Sequence, residues 1–274
     1  MLRINKETQL CISIAERPSN FGTTVFNAAF AAAGIDFIYK ACKLDPSNLK
    51  GAIAGIRALG IRGCGVSMPF KVMAIEYMDD LDQSAVEVGA LNTILNEDGR
   101  LKGFNTDYYG AGEALRSVKD VRNKTVLVLG SGGVAMAICA ALKSLGVDKV
   151  TIANRTAEKA SAVAEKWQYP VLEWEQRKRT KGDILINATS MGMNPHPEEI
   201  PVDEESIKNF GTVMDVVISP VNTRLLQAAK AYGKVTVPGS IMCLYQAVKQ
   251  YEIYTGLPAP VEVMSKSMRE LLEK

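Results

Sequence analysis

Six residues near the middle of the chain constrain its fold more than any other part of the sequence. Gly130-Ser131-Gly132-Gly133-Val134-Ala135 forms a G-x-G-x-x-A pattern. A short apolar run, 126–129, precedes it, and the helix-forming segment 136–145 follows, with Gly146 placed to end that helix. Residues 150–152 have the composition of a second buried strand. This order predicts a strand–turn–helix–strand unit of a parallel sheet.

Each small residue of this turn has a physical role. Gly130 permits the tight turn, and Gly132 allows the backbone to approach a pyrophosphate closely. Ala135 lets the helix pack closely on the strand, while the helix N-terminus faces the anion. Between a strand and a helix, such a turn is typical of a dinucleotide-binding domain.

The end of the second strand indicates which dinucleotide is bound. An Asp or Glu usually stands there when the ribose 2′-hydroxyl is free, but this chain has Asn154-Arg155-Thr156. A guanidinium can hold a 2′-phosphate through charge-assisted hydrogen bonds. We therefore expect NADP to be preferred over NAD. The alternative is that Arg155 is an ordinary solvated charge after a strand.

Composition excludes several classes of protein. The 274 residues suffice for two modest domains or one large domain. A net charge of only +2 does not suggest a nucleic-acid or anionic-membrane partner. No apolar run approaches the length of a membrane span, and the N-terminal residues lack a signal-peptide core. We expect a cytoplasmic protein with a small-molecule substrate, either a monomer or a homodimer.

Cysteine and histidine usage argues against a metal site. The five cysteines are dispersed without a C-x-x-C pair, which suggests reduced thiols in a cytoplasm. The single histidine, His196, stands between two prolines in a loop-like sequence. We expect neither a metal site nor a Ser-His relay.

The N-terminal third predicts a second α/β unit. Strands are expected at 9–14, 37–41 and 63–67, with helices at 23–33 and from Asp45 to about residue 59. This β-α-β-α-β order implies a parallel sheet, but no glycine fingerprint stands at its first turn. We therefore expect it to bind something other than a nucleotide.

The segment between the two α/β units contains a predicted hairpin. Residues 89–95 are strand-like, 101–105 return, and Asp98-Gly99 marks the tip. A domain boundary is predicted near Thr106. After the cofactor strands, further strands are expected at 184–188, 213–217 and 235–237, with C-terminal helices at 242–254 and 261–272.

Seven stretches together resemble the shikimate dehydrogenase family, and in particular its shikimate dehydrogenase-like and quinate/shikimate members. They occur in family order and cover nearly the whole chain. They are Val66-Ser67-Met68-Pro69-Phe70-Lys71, Gly89-Ala90-Leu91-Asn92-Thr93, Gly103-Phe104-Asn105-Thr106-Asp107-Tyr108-Tyr109-Gly110, Gly130-Ser131-Gly132-Gly133, Asn154-Arg155-Thr156, Asn187-Ala188-Thr189-Ser190-Met191-Gly192-Met193 and Gly239-Ser240-Ile241-Met242 with Gln246-Ala247.

The resemblance implies an α/β fold of two domains. A substrate domain with a mainly parallel sheet would occupy 1–106, and a Rossmann-type NADP-binding domain 107–241. Helices in 242–274 would return to the substrate domain. The implied activity is reversible hydride transfer between NADPH and 3-dehydroshikimate, which gives shikimate.

The resemblance also implies a catalytic pair, Lys71 and Asp107. Hydride transfer to a ketone needs a proton for the developing alkoxide, and an ammonium group can supply it while stabilising the charge. A neighbouring carboxylate would orient the lysine. The alternatives are that Lys71 simply begins a surface helix and that Asp107 simply caps one.

Substrate contacts implied by the resemblance fall on Ser67, Asn92 and Gln246, whose side chains could hydrogen-bond ring hydroxyls. Their alternatives are ordinary polar residues at a strand end, a turn and a helix surface. The implied cofactor contacts comprise the glycine turn, the end of the second strand and three later segments. They are Gly130, Ser131, Gly132, Gly133, Val134, Ala135, Asn154, Arg155, Thr156, Thr189, Ser190, Met191, Val217, Gly239 and Met242.

Two departures from the family pattern concern recognition of the substrate carboxylate. The family usually has a serine pair near the N-terminus; here Thr23 can replace one hydroxyl, Phe21 falls at the other position, and Ser19 is close by. The family often has a tyrosine where this chain has Ile218. Each missing charged hydrogen bond is worth about 1.5–3 kcal/mol, so carboxylate binding should be weakened.

Three other functions are therefore considered. A quinate or other cyclic hydroxyacid dehydrogenase would use the same scaffold. An NADP-binding regulatory protein with little catalysis is opposed by Lys71 and Asp107, but the departures at Phe21 and Ile218 leave it open. An S-adenosylmethionine methyltransferase is disfavoured because Arg155 stands where an acidic residue would bind the ribose.

Overall fold

The computed structural model describes residues 4–272. They form two compact units. Unit 1 contains the described residues up to Thr106 together with those from Leu244 onward, and unit 2 is Asp107–Cys243. Each unit is built on one six-stranded sheet.

The sheet of unit 1 is mixed and mostly parallel, with the order β2-β1-β3-β5-β6-β4. Strand β1 pairs in parallel with both β2 and β3, and β4 pairs in parallel with β6. Strand β5 is antiparallel to both β3 and β6. The strands are β1 (Gln9–Ala15), β2 (Phe37–Lys43), β3 (Gly63–Val66), β4 (Asp80–Leu81), β5 (Thr93–Glu97) and β6 (Arg100–Phe104).

Four helices lie between these strands: α1 (Phe21–Ala33), α2 (Leu49–Ala58), α3 (Phe70–Met73) and α4 (Gln83–Val88). The single helix expected from Asp45 to residue 59 is instead a 3₁₀ turn followed by α2. The Asp45 side chain accepts a hydrogen bond from the Ser47 amide at 2.9 Å and so caps that turn.

The expected strand 89–95 begins later than predicted. Gly89 has a left-handed conformation and ends α4, with its amide donating to Ala85 at 2.8 Å. The strand itself starts at Thr93. The hairpin tip is as predicted, because Asp98 and Gly99 both have positive φ, at 51° and 86°, as a two-residue turn of type I′ requires.

The two faces of the unit 1 sheet are covered differently. An aliphatic cluster built on Ile14, Ile53, Ile94 and Leu101 includes α2 and α3. On the other face, aromatic rings pack against backbone: a Cβ added to Gly63 would lie only 2.3 Å from the ring of Tyr254. Glycine at this position therefore lets a large ring rest directly on the strand.

All neighbouring strands of the unit 2 sheet are parallel, and their order is β12-β11-β10-β7-β8-β9. The strand that comes first in the chain is central, so the order reverses between β7 and β10. This is the doubly wound arrangement of a Rossmann fold, with its switch point beside β7. The strands are β7 (Val126–Leu129), β8 (Val150–Ala153), β9 (Val171–Leu172), β10 (Ile184–Asn187), β11 (Thr212–Asp215) and β12 (Val235–Pro238).

Helices complete both units. Those between Thr106 and Ala231 are α5 (Thr106–Arg116), α6 (Gly133–Ser144), α7 (Ala157–Trp167), α8 (Glu204–Ile207) and α9 (Arg224–Ala231). Then α10 (Gly239–Thr255) carries the chain into unit 1, where α11 (Val261–Leu272) packs on α1. No helix in residues 4–272 is both long enough and apolar enough to cross a membrane.

Candidate functional site

Lys71 is held by its neighbours at the end of β3. The turn before it closes through the Phe70 amide, which donates to the Ser67 carbonyl at 2.9 Å. Phe70 is fully buried and anchors α3, whereas Lys71 is half-buried. The Lys71 carbonyl accepts from the Leu91 amide at 2.9 Å. The lysine backbone is therefore tied to the residue immediately before Asn92.

Asn92 lies at the centre of a buried polar network. Its Oδ1 accepts hydrogen bonds from the Thr106 amide at 2.7 Å, the Thr93 hydroxyl at 2.8 Å and the Thr106 hydroxyl at 3.1 Å. The Thr106 hydroxyl also lies 3.3 Å from Oε1 of Gln246. Within unit 1 the structure thus brings Lys71, Asn92 and Gln246 into one region.

Asp107 follows Thr106 directly in the chain. It is half-buried and stands in the first turn of α5, where a carboxylate interacts favourably with the helix dipole. It belongs to unit 2, whereas Lys71 belongs to unit 1.

The predicted hydroxyl residues near the N-terminus already have local partners. The Thr23 hydroxyl accepts from the Ala41 amide at 3.1 Å, and the Ser19 hydroxyl accepts from the Phe21 amide at 3.3 Å. Ser19 and Ser67 are exposed, and Phe21 is half-buried. The Glu16 amide donates to the Met68 carbonyl at 3.3 Å, so the loop after β1 lies beside the turn that precedes Lys71.

The glycine turn of unit 2 has two kinds of glycine. Gly130 has φ 116°, and a Cβ there would lie 2.7 Å from the carbonyl oxygen of Ala188, so the fold itself requires glycine. A Cβ on Gly132 or Gly133 would meet nothing within 4 Å, and both residues are exposed. The N-terminus of α6 has no side-chain cap. This open cradle of backbone amides fits a pyrophosphate.

The other candidate cofactor residues follow the carboxyl ends of neighbouring parallel strands. The register aligns Ala153, Leu129, Asn187, Asp215 and Pro238, the last residues of five strands, in one row. Carboxyl ends of this kind form the ligand edge of a doubly wound sheet. The candidates that follow them are Gly130, Asn154, Arg155, Thr156, Thr189, Ser190, Met191, Val217 and Gly239.

Arg155 extends from this edge after β8. It is exposed, and its guanidinium has no ion pair or hydrogen bond within the described part of the chain. The preceding Asn154 uses its Nδ2 group to bond the Thr156 carbonyl at 3.0 Å, which closes the turn. Arg155 is therefore available to an anionic ligand.

A buried aspartate that sequence reasoning missed organises the loops after β10 and β11. Asp215 accepts hydrogen bonds from Asn187 at 2.9 Å, the Val217 amide at 3.1 Å and the Thr223 hydroxyl at 2.7 Å. Burial raises the pKa of Asp215 to about 6, although these three donors oppose the shift. The available signal was that Asn187 and Asp215 each end an apolar strand.

The start of α10 packs tightly against the same edge. A Cβ on Gly239 would lie 2.5 Å from the Val216 carbonyl, so only glycine allows this approach. Val217 and Met242 are both buried. Neither side chain therefore offers a polar group at this edge.

Three family profiles match successive parts of the chain. The substrate binding domain of shikimate dehydrogenase matches residues 21–94. The shikimate/quinate 5-dehydrogenase profile matches 112–200, and the C-terminal domain of shikimate 5′-dehydrogenase matches 242–269. A shikimate dehydrogenase-like protein of Haemophilus influenzae is 40% identical over 254 residues, which is 92% of each chain. This chain belongs to the shikimate dehydrogenase family.

Other members of the family agree with this assignment. The NADP-dependent shikimate dehydrogenase of Methanothermobacter thermautotrophicus is 38% identical, over 90% of this chain and 91% of its own. A solved shikimate dehydrogenase in complex with NADP⁺ has a TM-score of 0.89 at 34% identity, covering 99% and 98% of the two chains. The predicted family and the predicted α/β fold with a Rossmann-type domain are therefore confirmed.

The shared fold also carries other named activities. Quinate dehydrogenase from Corynebacterium glutamicum, in complex with NAD, has a TM-score of 0.88 at 27% identity, covering 96% and 99% of the two chains. The 5-ketofructose reductase of a Gluconobacter strain also has a TM-score of 0.88, at 32% identity, covering 97% and 100%. Among residues 4–272 of the present protein, no group of three or more His, Cys, Asp or Glu side chains is arranged to hold a metal ion.

Proposed function

We propose that this protein catalyses the reversible, NADP-dependent interconversion of 3-dehydroshikimate and shikimate. The observation that carries the proposal is the Lys71–Leu91 backbone hydrogen bond. It holds the proton-donating lysine beside Asn92, whose side chain lies in the network with Gln246. A cyclic polyol ketone needs such a combination, an acid for its carbonyl oxygen and amides for its hydroxyls.

Unit 2 would bind the cofactor at the carboxyl edge of its sheet. The amides of the Gly132-Gly133 turn would hold the pyrophosphate, and Arg155 the 2′-phosphate. The later loops, with Thr189, Ser190 and Met191, and the start of α10 would enclose the nicotinamide end. When bound, NADPH supplies the hydride.

The chain itself supplies the proton and the positioning. Lys71 delivers a proton to the substrate oxygen during reduction and takes it back during oxidation. Its charge stabilises the alkoxide as that oxygen becomes negative. Asp107 would orient the lysine, as the family pattern implies. Unit 1, with residues 1–106 and the returning segment 242–274, would thus act as the substrate domain.

The remaining substrate contacts would come from neutral groups. Asn92 directs its Oδ1 into the network of unit 1, so its amide nitrogen is the group offered to substrate hydroxyls, and the Gln246 amide lies beside the same network. The Ser67 hydroxyl is exposed beside Lys71, and Ser19 and Thr23 retain their hydroxyl protons for a carboxylate. All five free cysteines suit the cytoplasmic setting that the sequence predicts.

A second candidate is reduction of a related polyhydroxylated ketone, either quinate-like or without a carboxylate. Phe21 and Ile218 favour it, because they place an aromatic and an aliphatic side chain where the family pattern has hydroxyls. The 5-ketofructose reductase that shares this fold is named for a neutral sugar substrate.

A substrate panel tests both candidates. Initial rates with shikimate, quinate and fructose-type polyols, each with NADP⁺ and NAD⁺, should give the highest kcat/KM for shikimate with NADP⁺. A higher value for quinate or a neutral polyol would select the second candidate. Tight NADPH binding, measured by nucleotide fluorescence, without turnover of any member would indicate the regulatory protein instead.

A further inference from the structure

Gln250 is a buried amide on α10 that bonds the residues around Asn92. It is 5% exposed. Its Nε2 group lies 3.2 Å from the backbone carbonyl oxygen of Asn92 and 2.8 Å from the Thr93 hydroxyl. A carbonyl oxygen can only accept a hydrogen bond, so the Gln250 nitrogen must face it. The orientation of the Gln250 amide is therefore determined by the backbone.

That orientation determines where the Thr93 proton goes. Because Gln250 donates to the Thr93 oxygen, the Thr93 hydroxyl must place its own proton on another acceptor. Two acceptors are within reach, Oδ1 of Asn92 at 2.8 Å and the Thr106 hydroxyl oxygen at 3.4 Å, and the nearer Oδ1 of Asn92 takes the proton. Thr93 is fully buried, so water does not compete for this bond.

The relay ends at the Asn92 side chain. Its Oδ1 accepts hydrogen bonds from the Thr93 hydroxyl and, at 2.7 Å, from the Thr106 amide. An NH₂ group in the place of this oxygen would be repelled by the Thr106 N–H. Oxygen and nitrogen of the Asn92 amide are thus unambiguous. No hydrogen bond among residues 4–272 uses its Nδ2 group, although Asn92 is only 4% exposed.

We propose that Gln250 is a positioning residue that, through Thr93, holds the Asn92 amide with its Nδ2 group presented as a hydrogen-bond donor to a substrate oxygen. The inference rests on the substrate role proposed for Asn92. It assigns to α10 a second amide, one turn beyond Gln246, that acts on the substrate without touching it. The site would then select ligands with an acceptor oxygen at that position.

The first test removes the Gln250 donor. Gln250→Met keeps most of the side-chain volume and leaves the Thr93 proton free to turn away. We expect KM for shikimate to rise by about tenfold, the value of one neutral hydrogen bond, with a smaller change in kcat and none in KM for NADP⁺. Tyr251→Phe is the matched control, because it alters the next residue of the same helix and its hydroxyl has no partner.

The second test follows the relay. Thr93→Val should reproduce the rise in KM, and Thr93→Ser, which keeps the hydroxyl, should restore most of the affinity. In an Asn92→Ala background, Gln250→Met should cause no further rise, because the group that it positions is absent. Gln250 would serve only stability if Gln250→Met raised KM for shikimate equally in the unaltered protein and in Asn92→Ala. The same would follow if it raised KM for shikimate and for NADP⁺ equally.

A third measurement needs no substrate. In ¹⁵N-labelled protein, the side-chain NH₂ pair that Asn92→Asp removes identifies Asn92. Gln250→Met should shift or broaden this pair, and Tyr251→Phe should not. An unmoved pair overturns the positioning role whatever the substrate proves to be. Failure of the unaltered protein to oxidise shikimate, with the pair shifted as expected, would instead contradict the proposed function alone.

Discussion

Asn187 donates a hydrogen bond from Nδ2 to Oδ1 of Asp215 across 2.9 Å, and the two residues face one another in the register of neighbouring parallel strands. The same asparagine accepts from the Thr189 amide and hydroxyl, at 3.1 and 2.6 Å. The aspartate accepts from the Val217 amide. One buried pair therefore holds the loops on both sides of the proposed nicotinamide site.

Asp215→Asn should alter the pH dependence of folding. Burial raises the pKa of Asp215 to about 6, whereas an unfolded chain has about 4. The folded state therefore binds this proton more tightly than the unfolded state does. The stabilisation that results is complete below about pH 4 and is lost as the pH rises through about 6, which lowers the free energy of unfolding by up to about 3 kcal/mol.

Urea unfolding of both proteins at about pH 4.5 and about pH 7, on either side of the folded-state pKa, measures this effect. The amide that replaces the Asp215 carboxyl cannot ionise, so the destabilisation caused by the substitution should be smaller at the higher pH. The same difference in unfolding free energy at both pH values would show that the carboxyl does not titrate in this range.

Arg155→Gln should weaken NADP⁺ more than NAD⁺. Loss of one or two charge-assisted hydrogen bonds to the 2′-phosphate should raise KM for NADP⁺ by about 10- to 100-fold. KM for NAD⁺ should stay within about twofold, because NAD⁺ has no 2′-phosphate whose hydrogen bonds could be lost. Arg179→Gln, at another exposed arginine of unit 2, is the control. Equal kcat/KM for the two nucleotides in the unaltered protein would remove the basis of the prediction.

Two glycine substitutions should have opposite consequences. Gly130→Ala should destabilise unit 2 by about 2 kcal/mol or more, because φ is 116° and the new Cβ would lie 2.7 Å from the Ala188 oxygen. Gly132 has φ −78°, which alanine also adopts, and an added Cβ would lie in open space. Gly132→Ala should therefore fold normally but raise KM for NADP⁺.

Thermal melting and steady-state kinetics separate these two cases. An unchanged KM in Gly132→Ala would place the pyrophosphate elsewhere. An unchanged melting temperature in Gly130→Ala would mean that the turn has another conformation.

Lys71→Met should abolish most turnover while NADPH still binds to unit 2. An acid/base group typically contributes about 10²–10⁴-fold, so kcat should fall by that order. Lys50→Met is a suitable control, because Lys50 is an exposed lysine on α2. Asp107→Asn should lower kcat as well, and the double variant should lose less than the product of the two single effects. A near-normal kcat in Lys71→Met would mean that another group transfers the proton.

Ile218→Tyr tests the weakened carboxylate site. A hydroxyl at this position should lower KM for shikimate several-fold, in line with about 1 kcal/mol for one added hydrogen bond. KM for a neutral polyol should not change. If KM for shikimate stays the same in a folded variant, residue 218 does not face the carboxylate.

The sequence predicts the Rossmann-type unit well because its signals are local. Glycines follow the apolar run that becomes β7, and β8, β10, β11 and β12 are short apolar segments of the same kind, whereas the two-residue strand β9 was not predicted. Helix α4 was missed because it is only six residues long and carries little periodicity. The antiparallel pairing of β5 with β3 was missed as well, since hairpin signals specify only β5 with β6.

The candidate site was predictable only in part, for a similar reason. Lys71 and Asn92 stand in recognisable local motifs, but Gln250 bonds to residues 157 and 158 positions away along the chain. Asp215 likewise acts across strands, on Asn187 28 positions earlier. No local pattern encodes such pairs, because they depend on which elements the fold makes adjacent.

The return of the chain into unit 1 determines the order in which the two units can mature during translation. Tyr254 packs against Gly63, and the Arg62 guanidinium donates to the Tyr254 carbonyl at 3.0 Å, so the first sheet lacks one of its covers until α10 has left the ribosome. Unit 2 is continuous and has all its strands earlier. The half of the protein that is synthesised first is therefore completed last, and part of its aromatic face stays uncovered in the interval.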